Sequence, residues 1–295
     1  MKHAFEVRNL TKKLGTTTAL DGVSLSIPEQ SVVGLIGRNG AGKTTLLRHL
    51  AGLYLPTSGE CFTLRCPSGD LGHEELSRIG VVHQEGSLLD WMTVEQHLRY
   101  VSSFYKRWDR QLQERLLREL ELDRSKRIST LSSGNRQKLE IVMAVCHHPD
   151  LLLLDEPVAS MDPIVREQFL LFVLELFRED ANTTVISSHL LQDVEKVVDW
   201  VVCLDEGQLR VSAPLDELRE SYAEWMVTSS AGTLPEPIND DFVLQYEGNR
   251  FEARVMVRGA PSEFGSFKER YQAEVVSRPL SLERMFPLLL KEKAS

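Results

Sequence analysis

The chain has 295 residues, of which 42% are hydrophobic and 26% charged, and a formal net charge of −9 at pH 7. That length suits about two domains, and that composition excludes a disordered chain. The negative balance argues against a broad nucleic-acid surface, which draws on clustered Lys and Arg, so no nucleic-acid partner is expected.

Residues 4–36 read as short strands separated by turns. Val23, Leu25 and Ile27 alternate with Ser24, Ser26 and Pro28 to give one apolar face of an antiparallel β region, and Gly15 and Asp21-Gly22 supply turn residues. The first residues carry no apolar signal core, and no stretch is long and apolar enough to span a bilayer, so a cytosolic protein is expected. Ser31–Ile36 then predicts a buried strand and Thr45–Ala51 a helix. Between them Gly37-Arg38-Asn39-Gly40-Ala41-Gly42-Lys43-Thr44-Thr45 fits the phosphate-loop pattern G-x-x-x-x-G-K-[ST], in the strand-to-helix context which that loop requires. Its glycines let the backbone wrap a triphosphate, and the following helix N-terminus adds partial positive charge. Lys43 is expected to reach the β- and γ-phosphates of ATP, and the Thr44 hydroxyl to ligate Mg2+.

Gly52–Glu60 is a helix end followed by Pro and Gly punctuation, with strands predicted near Cys61 and over 79–84. Cys61, Cys66, Cys146 and Cys203 include no C-x-x-C pair. Cys61 and Cys66 with His73 form a conceivable ligand set, but small buried thiols account for them and no structural metal is expected. Residues 93–127 are the most helical stretch: Thr93 with Gln96 matches a capping box, and Leu112, Leu116, Leu117 and Leu120 keep a helical stripe. A helical insertion over about 88–135, outside the sheet, is predicted.

A helix over 136–147 precedes Leu151-Leu152-Leu153-Leu154-Asp155, whose unbroken apolar run suits a strand buried on both faces of a parallel sheet. A helix over 163–179, a strand over 183–188, a helix over 190–198 and strands within 200–211 follow. This alternation predicts a doubly wound α/β core. A short helix from Pro214 to about Tyr222 leads to a turn-rich segment at 229–237. Beyond it a hairpin (242–247 and 250–257), a helix near 262–271, a strand near 273–276 and a terminal helix over 281–292 are predicted. The expected division is a large domain, 1–215, and a small α+β accessory domain, 216–295.

Asp155 and Glu156 stand at the end of the four-leucine strand, where Asp155 is expected to hold Mg2+ and Glu156 to polarise the water that attacks the γ-phosphate. Leu131-Ser132-Ser133-Gly134-Asn135-Arg136-Gln137 between loop and acids resembles the Leu-Ser-Gly-Gly-Gln signature of the nucleotide-binding subunits of ABC transporters. Ser133 and Asn135 depart from it, which implies a working but altered signature. The resemblance spans residues 4 to about 220 and implies a P-loop NTPase ABC cassette: parallel-sheet core, antiparallel β subdomain and helical insertion. It also implies that Ser132 and Gly134 contact the γ-phosphate of ATP held by a second ATP-binding subunit. Gln84 matches the glutamine that senses Mg2+ and the attacking water, Asp162 the acid of the loop that crosses to the partner, and His189 the switch histidine. The family stacks an aromatic ring on adenine where this chain has Leu14, which removes a ring-on-ring contribution of ~0.5–1.5 kcal/mol.

Ser281-Leu282-Glu283-Arg284-Met285-Phe286 resembles the terminal helix of ATP-binding subunits of the ABC-2 export type. The implied protein is an ATPase that powers export through an integral membrane permease subunit, at the cytoplasmic face of the inner (plasma) membrane, as a homodimer or heterodimer of cassettes. Trp91 and Met92 are candidates to touch the permease, with core packing as their alternative role. Two other readings stay open: a soluble ABC ATPase not coupled to transport, and a non-hydrolysing ATP-binding regulatory subunit.

Overall fold

The computed structural model describes residues 2–84, 88–159, 161, 163–178, 182–230, 232–234, 236, 238 and 240–291. The chain divides into two compact units between Ser212 and Ala213, slightly ahead of the expected division after residue 215.

The first unit opens with β1 (His3–Leu14), β2 (Thr17–Pro28), β3 (Val32–Ile36) and α1 (Lys43–Leu50). Next come β4 (Ser58–Thr63), β5 (Cys66–Pro67), α2 (His73–Leu76), β6 (Ile79–Val82), α3 (Val94–Ser102) and α4 (Arg110–Glu119). The unit continues through α5 (Ser133–Val145), β7 (Leu151–Asp155), α6 (Pro163–Arg178), β8 (Thr183–Ser188), α7 (Leu191–Glu195), β9 (Trp200–Asp205) and β10 (Gln208–Pro214).

Two sheets result. One has the order β2-β1-β4-β5, and β1 pairs antiparallel with both β2 and β4. In place of several short strands, β1 and β2 are long strands whose register shifts near Leu10 and Lys12, so that Gly22 sits within a strand, not at its end. Val23, Leu25 and Ile27 are buried, as their alternation requires. The other sheet has the order β10-β9-β3-β8-β7-β6, and β3, β6, β7, β8 and β9 run parallel. β3, β7 and β8 are buried along their whole length, which explains runs such as Leu151–Leu154 with no polar alternation. Parallel strands put the residues after β3, β6, β7 and β8 on one edge of this sheet, where ligands of such sheets bind.

The helical insertion contains α3, α4 and the start of α5. The capping box at α3 is formed: Thr93 N donates to Gln96 Oε1 (2.9 Å) and Gln96 N to Thr93 Oγ1 (3.2 Å). Helix α5 seats closely on β6, because a β-carbon at Gly80 would lie 2.3 Å from Ala144 O.

The second unit comprises α8 (Leu215–Ser221), β11 (Tyr222–Ser229), β12 (Val243–Gly248), β13 (Glu252–Arg258), α9 (Ala260–Tyr271), β14 (Ala273–Pro279) and α10 (Leu282–Leu289). Its sheet, in the order β12-β13-β11-β14, is antiparallel throughout. The pairing runs through β11, which sequence periodicity does not reveal. Trp225 of β11 is fully buried, with its ring centroid 5.1 Å from that of Phe267 and 5.3 Å from that of Phe264.

Candidate functional site

The loop after β3 is built on close backbone approach. Gly42 has φ 103°, and a β-carbon there would lie 2.6 Å from Ala19 O and 2.7 Å from Leu20 Cδ2. No other residue type fits that position without displacing β2. Gly37 and Gly40 also have positive φ, and Arg38, Asn39 and Gly40 are exposed while Ala41, Gly42 and Lys43 are buried. The loop delivers its chain into α1, which has no side-chain cap and no acidic residue in its first turn. Those first amides are donors suited to an anion. Thr44 and Thr45 lie half-buried in the same turn.

Lys43 is buried, and its Nζ donates to Gly37 O (2.9 Å) and Arg38 O (3.2 Å) within the loop. The same Nζ stands 3.8 Å from Glu156 Oε1, each side chain only 7% exposed. Burial lowers the Lys43 pKa, and the carboxylates of Glu156 and Asp155 oppose that effect. On its other oxygen, Glu156 Oε2 accepts from His189 Nδ1 (2.9 Å). The arrangement is a cation and an imidazole on the two oxygens of one carboxylate, with His189 exposed at the rim.

Glu156 is placed by its backbone. It adopts φ 51°, uncommon for a side chain of this type, and its N–H donates to Ser187 Oγ (2.9 Å). Ser187 Oγ in turn donates to Asp155 Oδ1 (2.6 Å), so one hydroxyl on β8 holds both Asp155, the last residue of β7, and Glu156 just after it. Gln137 of α5 completes the clamp by donating from Nε2 to Glu156 O (3.1 Å). Ser187 and Gln137 are positioning residues that motif reading passes over. The available signal was a serine inside a wholly buried strand, a polar group that needs a partner there.

The structure thus gathers Lys43, Asp155, Glu156 and His189 from separate parts of the sequence. Gln84 lies exposed two residues beyond β6. Ser132 caps α5, its Oγ accepting from Asn135 N (3.3 Å), and Gly134 faces open space, so the signature residues stand at an accessible helix end. Arg136, next on that helix, donates to Asp90 Oδ1 (2.7 Å) and Ile128 O (3.1 Å). Leu14, at the end of β1, is 42% exposed. Asp162 lies outside the described residues.

A groove of about 600 Å³ opens beside β6, walled by Val81, by Tyr100 of α3 and by Met143 of α5. Leu53, Leu76 and Tyr100 are large exposed apolar residues on it, and the Phe104 ring meets Tyr100 edge-on at 5.1 Å. Trp91 is 67% exposed, so core packing does not account for it.

The residues present fit a nucleotide and its cation: an uncapped helix start, a glycine loop and a lysine for phosphates, with the buried Asp155 carboxylate and the half-buried Thr44 hydroxyl for Mg2+. Residues 20–159 match the family model described as ABC transporter. The bacitracin transport ATP-binding protein BcrA of Enterococcus faecalis is 31% identical over 77% of this chain and 76% of its own length. The phosphonates import ATP-binding protein PhnC of Alcaligenes faecalis is 35% identical over 71% of this chain and 82% of its own. Among solved structures, the ATP-binding cassette MJ0796, in a dimeric post-hydrolysis state with ADP and Pi, superposes with a TM-score of 0.64 at 26% identity. That match covers 72% of this chain and 98% of the other. An import protein stands among these relatives, so the likeness sets the kind of subunit and not the direction of transport. The fold is that of ABC ATPase cassettes, and the chain belongs to the family of ABC transporter ATP-binding proteins.

Proposed function

We propose that this chain hydrolyses ATP to power export through a separate membrane subunit. The observation that carries the reading is the array of buried Lys43 and Glu156 with His189 at its rim, beside Asp155 on the C-terminal edge of the parallel sheet. On triphosphate binding, Lys43 turns its ammonium from the loop carbonyls to the β- and γ-phosphates. The residues Gly37, Arg38, Asn39, Gly40, Ala41, Gly42, Thr44 and Thr45 wrap them, and Leu14 covers the base. Mg2+ held by Thr44, Asp155 and Gln84 would neutralise phosphate charge. Glu156 accepts the proton of the attacking water as its oxygen bonds to the γ-phosphorus and the bond to the ADP oxygen breaks. His189 orients Glu156 and contacts the γ-phosphate.

Ser132 and Gly134 reach the nucleotide of a second cassette, with Asp162 crossing to the same site, so the working unit is a head-to-tail dimer that ATP closes. Residues 1–215 carry this chemistry and 216–295 form an accessory domain. The exposed apolar groove beside β6, with Trp91, receives the membrane subunit at the cytoplasmic face of the membrane. Export is inferred from the helix containing Ser281–Phe286.

Phosphate release with and without Mg2+ tests the ATPase reading; no release by the wild-type chain overturns it in favour of a regulatory subunit. To test transport, tagged Glu156→Gln chain is recovered from native membranes with ATP and Mg2+ present. A stoichiometric multi-span membrane protein is expected, and recovery with ribosomes or nucleic-acid enzymes instead would sink the transport reading.

A further inference from the structure

The antiparallel sheet of the second unit ends in two outer strands that are built differently. Strand β12 shifts register between Val243 and Gln245, an irregularity that spoils it as a template for another strand. Strand β14 is regular from Ala273 to Pro279 and pairs residue for residue with β11. Among the described residues no strand pairs with the other side of β14.

The ladder decides which backbone groups that free side offers. Ser230 N donates to Gln272 O (2.9 Å), which sets the alternation. Glu274, Val276 and Arg278 therefore exchange their backbone bonds with β11, while Val275 and Ser277 turn N–H and C=O outward. Ala273 and Val275 lie in the apolar core with Phe267 of α9, so Glu274, Val276 and Arg278 stand on the opposite face. All three are exposed, Val276 by 57%. Arg278 lies directly across from Glu224, yet the guanidiniums that Glu224 holds are those of Arg254 and Arg284. Neither Glu274 nor Arg278 forms an ion pair with a described residue.

Val276 thus stands midway between an unpaired carboxylate and an unpaired guanidinium. A second β14 laid antiparallel, with a two-fold axis at Val276, sets Glu274 of each copy against Arg278 of the other and valine against valine. In that register Val275 of each copy falls opposite Ser277 of the other, and these are the residues whose backbone groups turn outward. The side-chain pairs then occupy the closer positions, with Cα atoms about 4.5 Å apart. A slip of one residue would oppose outward groups to groups already used by β11, and a parallel copy would set like charges together. Charges on an outer strand repel most partners; this order of signs admits an antiparallel copy. We propose that β14 is a self-association edge through which two copies of this chain join their accessory sheets into one. The contact belongs to the second unit and needs no nucleotide, so it does not rest on the hydrolysis reading. It makes the second cassette a copy of this chain and keeps it at high local concentration when ATP has left.

The test follows the full chain, free of nucleotide, by sedimentation velocity over a dilution series, with far-UV circular dichroism and thermal melting as checks on folding. Wild type should show a concentration-dependent dimer. Glu274→Arg and Arg278→Glu should each raise the dissociation constant about 10–100-fold, since each turns the attractive pairs on both sides of the axis repulsive. An equimolar mixture of these two variants restores opposite charges at every pair and should dimerise as wild type does. Ser277→Pro deletes an outward N–H that β11 does not use, and should weaken the dimer by at least about tenfold with the melt unchanged. A wild-type chain that stays monomeric overturns the proposal, as does a dimer indifferent to these substitutions or a mixture no tighter than its components. None of these outcomes bears on phosphate release, so the hydrolysis reading stands or falls separately.

Discussion

The parallel sheet of the first unit and the antiparallel sheet of the second each bury a glutamate, and the two are held in different company. Glu156 faces a buried lysine and an exposed histidine, takes a left-handed backbone, and draws Ser187 and Gln137 onto its own peptide groups. Glu224, on β11, is met by Arg254 Nε at 3.4 Å and by Arg284 of α10, and its strand is regular. Permanent guanidinium partners neutralise Glu224 and leave it nothing to exchange. Glu156 has one partner, Lys43, that phosphates can draw away, and another, His189, exposed at the rim, so its surroundings can change during a reaction. Burial of a carboxylate is common to both; exchangeable partners and local strain separate Glu156, the proposed base, from Glu224.

The sharpest way to break this contrast is to remove each charge. Glu156→Gln should lower phosphate release by about 10²–10⁴-fold while nucleotide affinity holds, since a general base is lost and the phosphate ligands remain. Glu224→Gln should leave release unchanged. Next in size is Lys43→Ala, which should weaken nucleotide binding by about 10–100-fold in equilibrium titration, the worth of charge-assisted hydrogen bonds. In a thermal melt, Glu224→Gln should destabilise the second unit by roughly 1 kcal/mol, discounted because Arg254 and Arg284 keep contact with water. Equal effects of the two glutamine variants on turnover would erase the distinction.

The smallest expected effect is a pH signature of Glu140 of α5, which lines the groove beside β6 with His83, His97 and His147. Its carboxyl stands at about 7 in the folded chain against 4.5 for the free group, so the folded state keeps the proton longer. That contribution is complete below pH 4.5 and is lost as pH rises through 7. The Tm of Glu140→Gln relative to wild type should therefore climb across that interval and level off above it. His83, His97 and His147 titrate in both proteins and drop out of the difference. A flat difference curve would place Glu140 in water.

The phosphate loop and the acids at the end of β7 were legible because each stands beside a strand with an unbroken apolar run, and His189 because it directly follows the strand Thr183–Ser188. Strand β11 was not: Glu224 and Thr228 interrupt its apolar positions, and α8 leads straight into it, so Tyr222–Ser229 resembles a fading helix. The long β1 and β2 were read as several pieces, because Gly22 marks a register shift as readily as a turn. Ser187 escaped notice because a hydroxyl in a strand acquires meaning only when β7 is laid beside β8. The groove is less legible still, since its walls come from segments around 81, 100 and 143 that only packing brings together. Asp162 remains a sequence expectation.

Arg136 and Gln137 occupy adjacent positions of α5, about 100° apart around its axis. One grips Asp90, next to exposed Trp91, and the other grips the carbonyl of Glu156. The helix therefore works as a connecting rod with a coupling at each side of one bearing. Both couplings lie within a single turn, so a displacement applied at Asp90 would load the same turn that holds the Glu156 carbonyl.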